Sequence, residues 1–230
     1  MSAQLMAELV HRTSLHGSFD ARTIITRSGK RRRGSIPSRF GLLDWEAPLE
    51  RNALYRLTAS WSCTALIPQP VQWVIPCRYG DSFRYTPDAA TQLCCGFIAA
   101  LECKREKDLD EEMRRRLRAV LAYLSRLGIA FKVLTERDLP DSSRQANAEL
   151  LSKHYQAELK PAHVQALHAL TRSSPSETFG QLVQRLGLQQ ARTALARGFL
   201  FFDTAEPLVD DTPLFDTFHE SHDAADFLYT

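Results

Sequence analysis

The sequence predicts an α/β protein, with a mixed sheet flanked by helices and a smaller helical domain after it. Three observations carry this. Segments rich in β-branched, aromatic and small apolar residues cluster between positions 71 and 135, one amphipathic helix separates the last two of them, and beyond residue 139 short helical patterns replace strands. In order, Leu49, Ala53, Leu54 and Leu57 recur at helical spacing after Pro48, which suits a first turn, so residues 47–57 read as an amphipathic helix. Val71–Ile75, Phe83–Tyr85, Leu93–Glu102 and Ile129–Thr135 read as four strands, with Tyr79–Ser82 as the turn between the first two. Met113, Leu117, Val120, Leu121, Leu124 and Leu127 mark one face of a helix that Gly128 stops. A helix between two strands is a long crossover, and a long crossover implies parallel pairing.

Leu139–Arg144 breaks the pattern and marks a domain boundary, giving a first domain over 1–140. Ala148–Gln156, Ala162–Leu170, Thr178–Leu186 and Gln189–Arg197 then read as short helices, the third opened by a capping box at Ser174-Pro-Ser-Glu177 and the last closed by Gly198. Phe199–Phe202 and Pro207–Val209 could pair as a hairpin. Short helices followed by a hairpin have the order of a winged-helix module, here spanning 145–212. Residues 213–230, acidic with interspersed Phe and Tyr, read as a tail that docks on a partner protein.

A chain of 230 residues, 44% hydrophobic and 24% charged, has ordinary globular composition. No run approaches the ~18 apolar residues of a membrane span, and the start lacks an export signal, so a soluble cytoplasmic protein is expected. Five cysteines, odd in number and without a C-x-x-C pair, argue against a disulfide framework or zinc site and read mostly as buried thiols. The overall charge of +2 conceals an asymmetry: residues 1–40 carry net +6, while 199–230 hold eight acids and no Lys or Arg. The cluster Lys30, Arg31, Arg32, Arg33 sits in a Gly- and Ser-bearing stretch suited to contacting DNA phosphates, with a solvated loop as the plainer alternative.

The segment that points to chemistry is Pro87-Asp88, followed by Glu102-Cys-Lys104 at the end of an apolar strand. On a strand, Glu102 and Lys104 share a face and Cys103 takes the other. If Asp88 closes the neighbouring strand, its carboxylate approaches that of Glu102, and two such groups repel unless a cation bridges them. A hard divalent ion on carboxylate oxygens can acidify water and stabilise a leaving alkoxide, and Lys104 can hold or help deprotonate the attacking water and offset charge on phosphorus. Glu50, on the helix before the first strand, could complete the set. The plainer alternatives are a turn aspartate, a surface Glu–Lys pair and a helix Glu paired with Arg51 or Arg56.

Pro87-Asp88 with Glu102-Cys-Lys104 resembles the PD-(D/E)XK motif of restriction-endonuclease-like folds. Together with Lys30-Arg-Arg-Arg-Gly34, Pro48-Leu-Glu50-Arg-Asn, Gln69-Pro70, Tyr85-Thr-Pro-Asp88 and Phe131–Glu136, it is similar to the TnsA family, endonuclease subunits of heteromeric cut-and-paste transposases. The likeness covers residues 27–140 and continues more weakly over 145–212. It implies a catalytic and metal-binding role for Glu50, Asp88 and Glu102, a catalytic role for Lys104, and Mg²⁺ as cofactor with Mn²⁺ as a substitute. It also implies a double-stranded DNA substrate at transposon ends, cut on the 5′ side, a DDE-type transposase partner that joins the ends, and an AAA+ ATPase regulator. Ala89 stands where the family usually has a bulky apolar residue, and Ala47 where Ser is common. Two other readings stay open: an adaptor that binds DNA and an ATPase without essential nuclease activity, and a stand-alone restriction or repair nuclease.

Overall fold

Apolar side chains on strands and helices condense into two cores, and the chain divides around them. The computed structural model describes residues 2–14, 19–20, 33–76, 81–172 and 177–228. One compact unit comprises residues 1–35, 43–54 and 63–139; the other comprises 36–42, 55–62 and 140–230. In chain order the first half holds α1 (Ser2–Ser14), β1 (Phe19–Asp20), β2 (Gly34–Ser38), β3 (Gly41–Trp45), α2 (Pro48–Ala59), β4 (Cys63–Pro68) and β5 (Gln72–Pro76). There follow β6 (Ser82–Tyr85), β7 (Ala89–Leu93), β8 (Ile98–Cys103), α3 (Glu111–Arg126) and β9 (Ala130–Leu134). The rest is α4 (Ser143–Ser152), α5 (Pro161–Arg172), β10 (Glu177–Thr178), α6 (Phe179–Leu186), α7 (Leu188–Ala196) and β11 (Pro213–Leu214).

The first unit is built on a four-stranded sheet in the order β4-β7-β8-β9. β7 and β8 form an antiparallel hairpin, and β8 and β9 run parallel across the crossover helix α3, so the sheet is mixed and flanked by helices. The expected strand Leu93–Glu102 is in fact the end of β7, a turn and β8: Gly96, at φ +85°, takes a left-handed turn conformation that Gly adopts at little cost. A second sheet, β1-β5-β6, also belongs to this unit. Asp110 caps α3, its carboxylate accepting from Met113 N at 2.7 Å, and the helix buries Leu117, Val120, Tyr123 and Leu124. Val120, Tyr123 and Leu124 share a core with Leu5 and Leu9 of α1, Trp73, Ile75 and Ile98. The sequence reading gave no helix to residues 2–14; Arg12 there donates to Gly128 O at 2.8 Å, placing a cation on the carbonyl end of α3.

In the second unit α4 to α7 enclose a core of Leu151, Leu167, Phe179, Leu182 and Leu195. The helix cap differs from the expected one. Thr178 and Gln181 form the capping box of α6, because Glu177 and Thr178 are held extended against Leu214 and Pro213; residues 174–176 lie outside the described residues. The expected hairpin of Phe199–Phe202 with Pro207–Val209 is replaced by a bridge between Phe201 and Phe215. Gly198, at φ +72°, ends α7 in the left-handed region, and a Cβ there would fall 2.5 Å from the Trp61 ring.

Two further expectations are corrected. The acidic segment is no free tail: Asp223, Ala224, Ala225 and Phe227 are buried within the second unit. Arg144 donates to Asp223 O at 3.2 Å, and Ser60 Oγ to Asp223 Oδ2 at 2.6 Å. The cysteines are also not uniformly buried. Cys63 is, Cys103 is half-buried, and Cys94 and Cys95 are exposed at the β7–β8 turn, all four with free thiols; Cys77 lies outside the described residues. No helix among the described residues is long and apolar enough to cross a membrane.

Candidate active site

The β7–β8 hairpin decides which charged groups meet. Ala89 pairs with Leu101, so in the antiparallel register Asp88, just before β7, comes level with Glu102 near the end of β8. Asp88 Oδ2 accepts from Cys103 N at 2.7 Å, and its carbonyl accepts from Gln69 N at 3.0 Å, which anchors the aspartate on both neighbouring strands. Gln69 is the single described non-glycine residue with positive φ, +43°, so the chain accepts a strained conformation where it grips Asp88.

Glu102 is buried and fully engaged. One carboxylate oxygen accepts from Tyr85 Oη at 2.6 Å; the other pairs closely with Lys104 Nζ. Burial works against the ammonium of Lys104, but the Glu102 and Asp88 carboxylates outweigh it and its pKa is raised. Lys104 is therefore positively charged at neutral pH. Burial, then the Glu102 charge, drives the Tyr85 pKa upward, which keeps that hydroxyl a donor.

Glu50 stands in the first turn of α2 and is buried. Its Oε2 accepts from Glu46 N at 2.7 Å and Ala47 N at 3.3 Å, capping the helix. Its Oε1 is buried and has no hydrogen-bond partner. Neither arginine weighed as its partner holds it: Arg51 donates to Asn52 Oδ1, and Arg56 pairs with Asp226. The carboxyl is pushed up to about 8, first by burial and then by the Asp88 charge. Asp88 in turn is pushed up to about 7 by burial and by Glu102. The thiol of Cys103 is raised by burial and then by Asp88, Glu50 and Glu102. These mutual effects bring all four sequence-derived residues, Glu50, Asp88, Glu102 and Lys104, into one electrostatic cluster within the first unit.

Two members escaped the sequence reading. Glu46 raises the pKa of both Glu50 and Asp88 while its backbone caps Glu50; Tyr85 orients Glu102. Their proximity in sequence to Glu50 and Asp88 was the available signal. Of the basic cluster, Lys30, Arg31 and Arg32 lie outside the described residues; Arg33 is half-buried. His154 is buried, and His163 hydrogen-bonds Gln190 at 3.0 Å.

Among the described residues no three His, Cys, Asp or Glu side chains are gathered tightly enough to hold a metal ion as they stand. The donor chemistry nevertheless suits a hard cation: a buried Glu50 oxygen without a partner, an Asp88 carboxyl with Oδ1 unengaged, and carboxyl groups raised first by burial and then by each other's charge. A stability prediction follows from the two carboxyl groups. Their folded pKa values lie above the ordinary 4.5 and 3.8, so the stability they contribute is fully present below pH ~4 and lost as pH rises through 7 and 8. With chelator present, the melting temperature should fall between pH 6 and 9, and a flat profile in that window would contradict this electrostatic picture.

No protein-family model matches the chain, and no curated protein matches its sequence at a significant level.

Proposed function

We propose that the chain is a metal-dependent DNA endonuclease of the PD-(D/E)XK type, acting as the TnsA-like subunit of a transposase that cuts at the 5′ ends of an element. On this reading the first unit is a restriction-endonuclease-like domain and the second a winged-helix-like one. The observation that carries it is the clustering of Glu50, Asp88, Glu102 and Lys104 at the end of one hairpin, with the buried carboxyl groups of Glu50 and Glu102, the half-buried Asp88 and a single ammonium. Glu50 and Asp88, with Glu102 behind them, would hold Mg²⁺ or Mn²⁺, which when bound polarises the phosphate and lowers the pKa of water.

The protein's own groups do the rest. Tyr85 and Lys104 take both oxygens of Glu102 and fix it in one orientation. Lys104, permanently charged, offsets the negative charge that grows on the phosphoryl oxygens during displacement. The backbone N–H of Cys103 holds Asp88 in place at no cost in reorganisation. A DDE-type transposase partner, an AAA+ ATPase regulator and a double-stranded DNA substrate at transposon ends belong to the same proposal, as does a cytoplasmic site of action.

Glu50→Gln tests it. The amide oxygen can still accept from Glu46 and Ala47, so the helix cap is retained while the carboxylate is lost. Mg²⁺-dependent nicking of duplex DNA, assayed with and without the transposase partner, should be abolished with an unchanged circular dichroism spectrum. Undiminished nicking would dismiss this active site, and robust cutting by the chain alone would favour a stand-alone nuclease.

A further inference from the structure

The groove beside α3 gives the proposed nuclease a second DNA contact, away from the carboxylates. A cavity of about 840 Å³ runs along this helix in the first unit. Glu112, Arg115, Arg116, Ala119, Tyr123 and Arg126 line it at spacings of three, four, seven, eleven and fourteen residues from Glu112, one helical stripe, with Arg118 at its edge. At 1.5 Å per residue the stripe is about 21 Å long. Its rim holds four arginines against one glutamate.

The arginines are not all spent on the protein. Arg118 pairs with Glu111 at 2.7 Å; Arg116 donates to Arg84 O at 3.1 Å and lies over the Phe83 ring at 4.7 Å. Arg115 and Arg126 make no hydrogen bond or ion pair among the described residues. In the floor, the Tyr123 hydroxyl is buried without a hydrogen-bond partner on a residue only 7% exposed. Like charges stacked along one helix repel, so an anion in the groove relieves a cost already present in the fold.

We propose that this groove seats the phosphate backbone of duplex DNA; the proposal rests on the nuclease reading. Charge complementarity favours DNA: four arginines line the groove against one glutamate, and Arg115 and Arg126 among them make no hydrogen bond or ion pair among the described residues. Sequence-independent contact is what the groove offers. Guanidinium forks match phosphate oxygens, and the aromatic face that could stack a base is already covered by Arg116. The same cover disfavours an acidic polypeptide, which would need an open pocket for an apolar anchor.

The test is equilibrium binding of the full chain to labelled duplexes of unrelated sequence, in Ca²⁺, over a range of KCl concentrations. Arg115→Ala combined with Arg126→Ala should weaken binding alike on all sequences and make the slope of log K against log salt shallower by about 2. Arg115→Lys with Arg126→Lys should keep the wild-type slope, which separates lost charge from damaged folding. An unchanged slope in the alanine variant overturns the groove assignment, as does a loss that appears with a polyglutamate probe and spares DNA. The nuclease reading stands or falls on nicking by Glu50→Gln. If that variant nicks normally and the salt slope still drops, the groove stands and the carboxylate site falls.

Discussion

Asp88→Asn is expected to lower Mg²⁺-dependent nicking by about a thousandfold, some 4 kcal/mol of transition-state stabilisation, while making the protein more stable above pH 7. The two effects have one cause. The half-buried carboxylate of Asp88 interacts with both Glu102 and Glu50, and its charge is among the influences that push Glu50 up to about 8. The amide keeps an oxygen for Cys103 N, so the β7–β8 register survives. Removing the charge relieves repulsion, and the loss of stability between pH 6 and 9 should flatten. Activity and stability moving in opposite directions is a signature that a merely structural aspartate would not give. Nicking within a few-fold of wild type would refute the role of Asp88, whatever the melting curves show.

Arg56→Ala should destabilise the second unit by about 3 kcal/mol, read as a lower denaturant midpoint. Arg56 is 2% exposed, an unusual position for a guanidinium. Desolvation lowers its pKa, and Asp226 and Asp223 oppose that. Its Nε donates to Ala224 O at 2.6 Å, Nη2 pairs closely with Asp226, and the cation lies 5.4 Å from the Phe227 ring centroid. Truncation would leave the carbonyl of Ala224 unpaired, open a cavity and strip Asp223 of a compensating charge. Arg56→Met, which refills the volume without the charge, should recover part of the loss. A change under about 1 kcal/mol for the alanine variant would mean that the acidic segment holds its place without this arginine.

The mixed sheet was legible because its signals are local. The crossover helix with Leu117, Val120 and Leu124 on one face, and the parallel pairing that a crossover demands, follow from spacing and turn chemistry, whereas β4 was not read as a strand and β7 and β8 were read as one. The same holds for Glu102 and Lys104, which share a strand face two residues apart. Helix α1 was missed although Leu5, Met6, Leu9 and Val10 recur at helical spacing, and the core it joins shows that Leu5 and Leu9 are buried. The acidic segment was misread for a related reason: its composition is that of a solvated tail, and a buried arginine far away in sequence reverses its fate.

For the candidate site, the sequence by itself determined which groups exist and in what order: a glutamate opening a helix, an aspartate after a proline, and a glutamate and lysine closing an apolar strand. What only the tertiary structure decided is how they act on one another. The hairpin register sets Asp88 level with Glu102, Tyr85 and Lys104 consume the Glu102 oxygens, and burial leaves Glu50 Oε1 without a partner. Charge interactions depend on distance through space and on exclusion of water, and neither quantity is encoded at a single position along the chain.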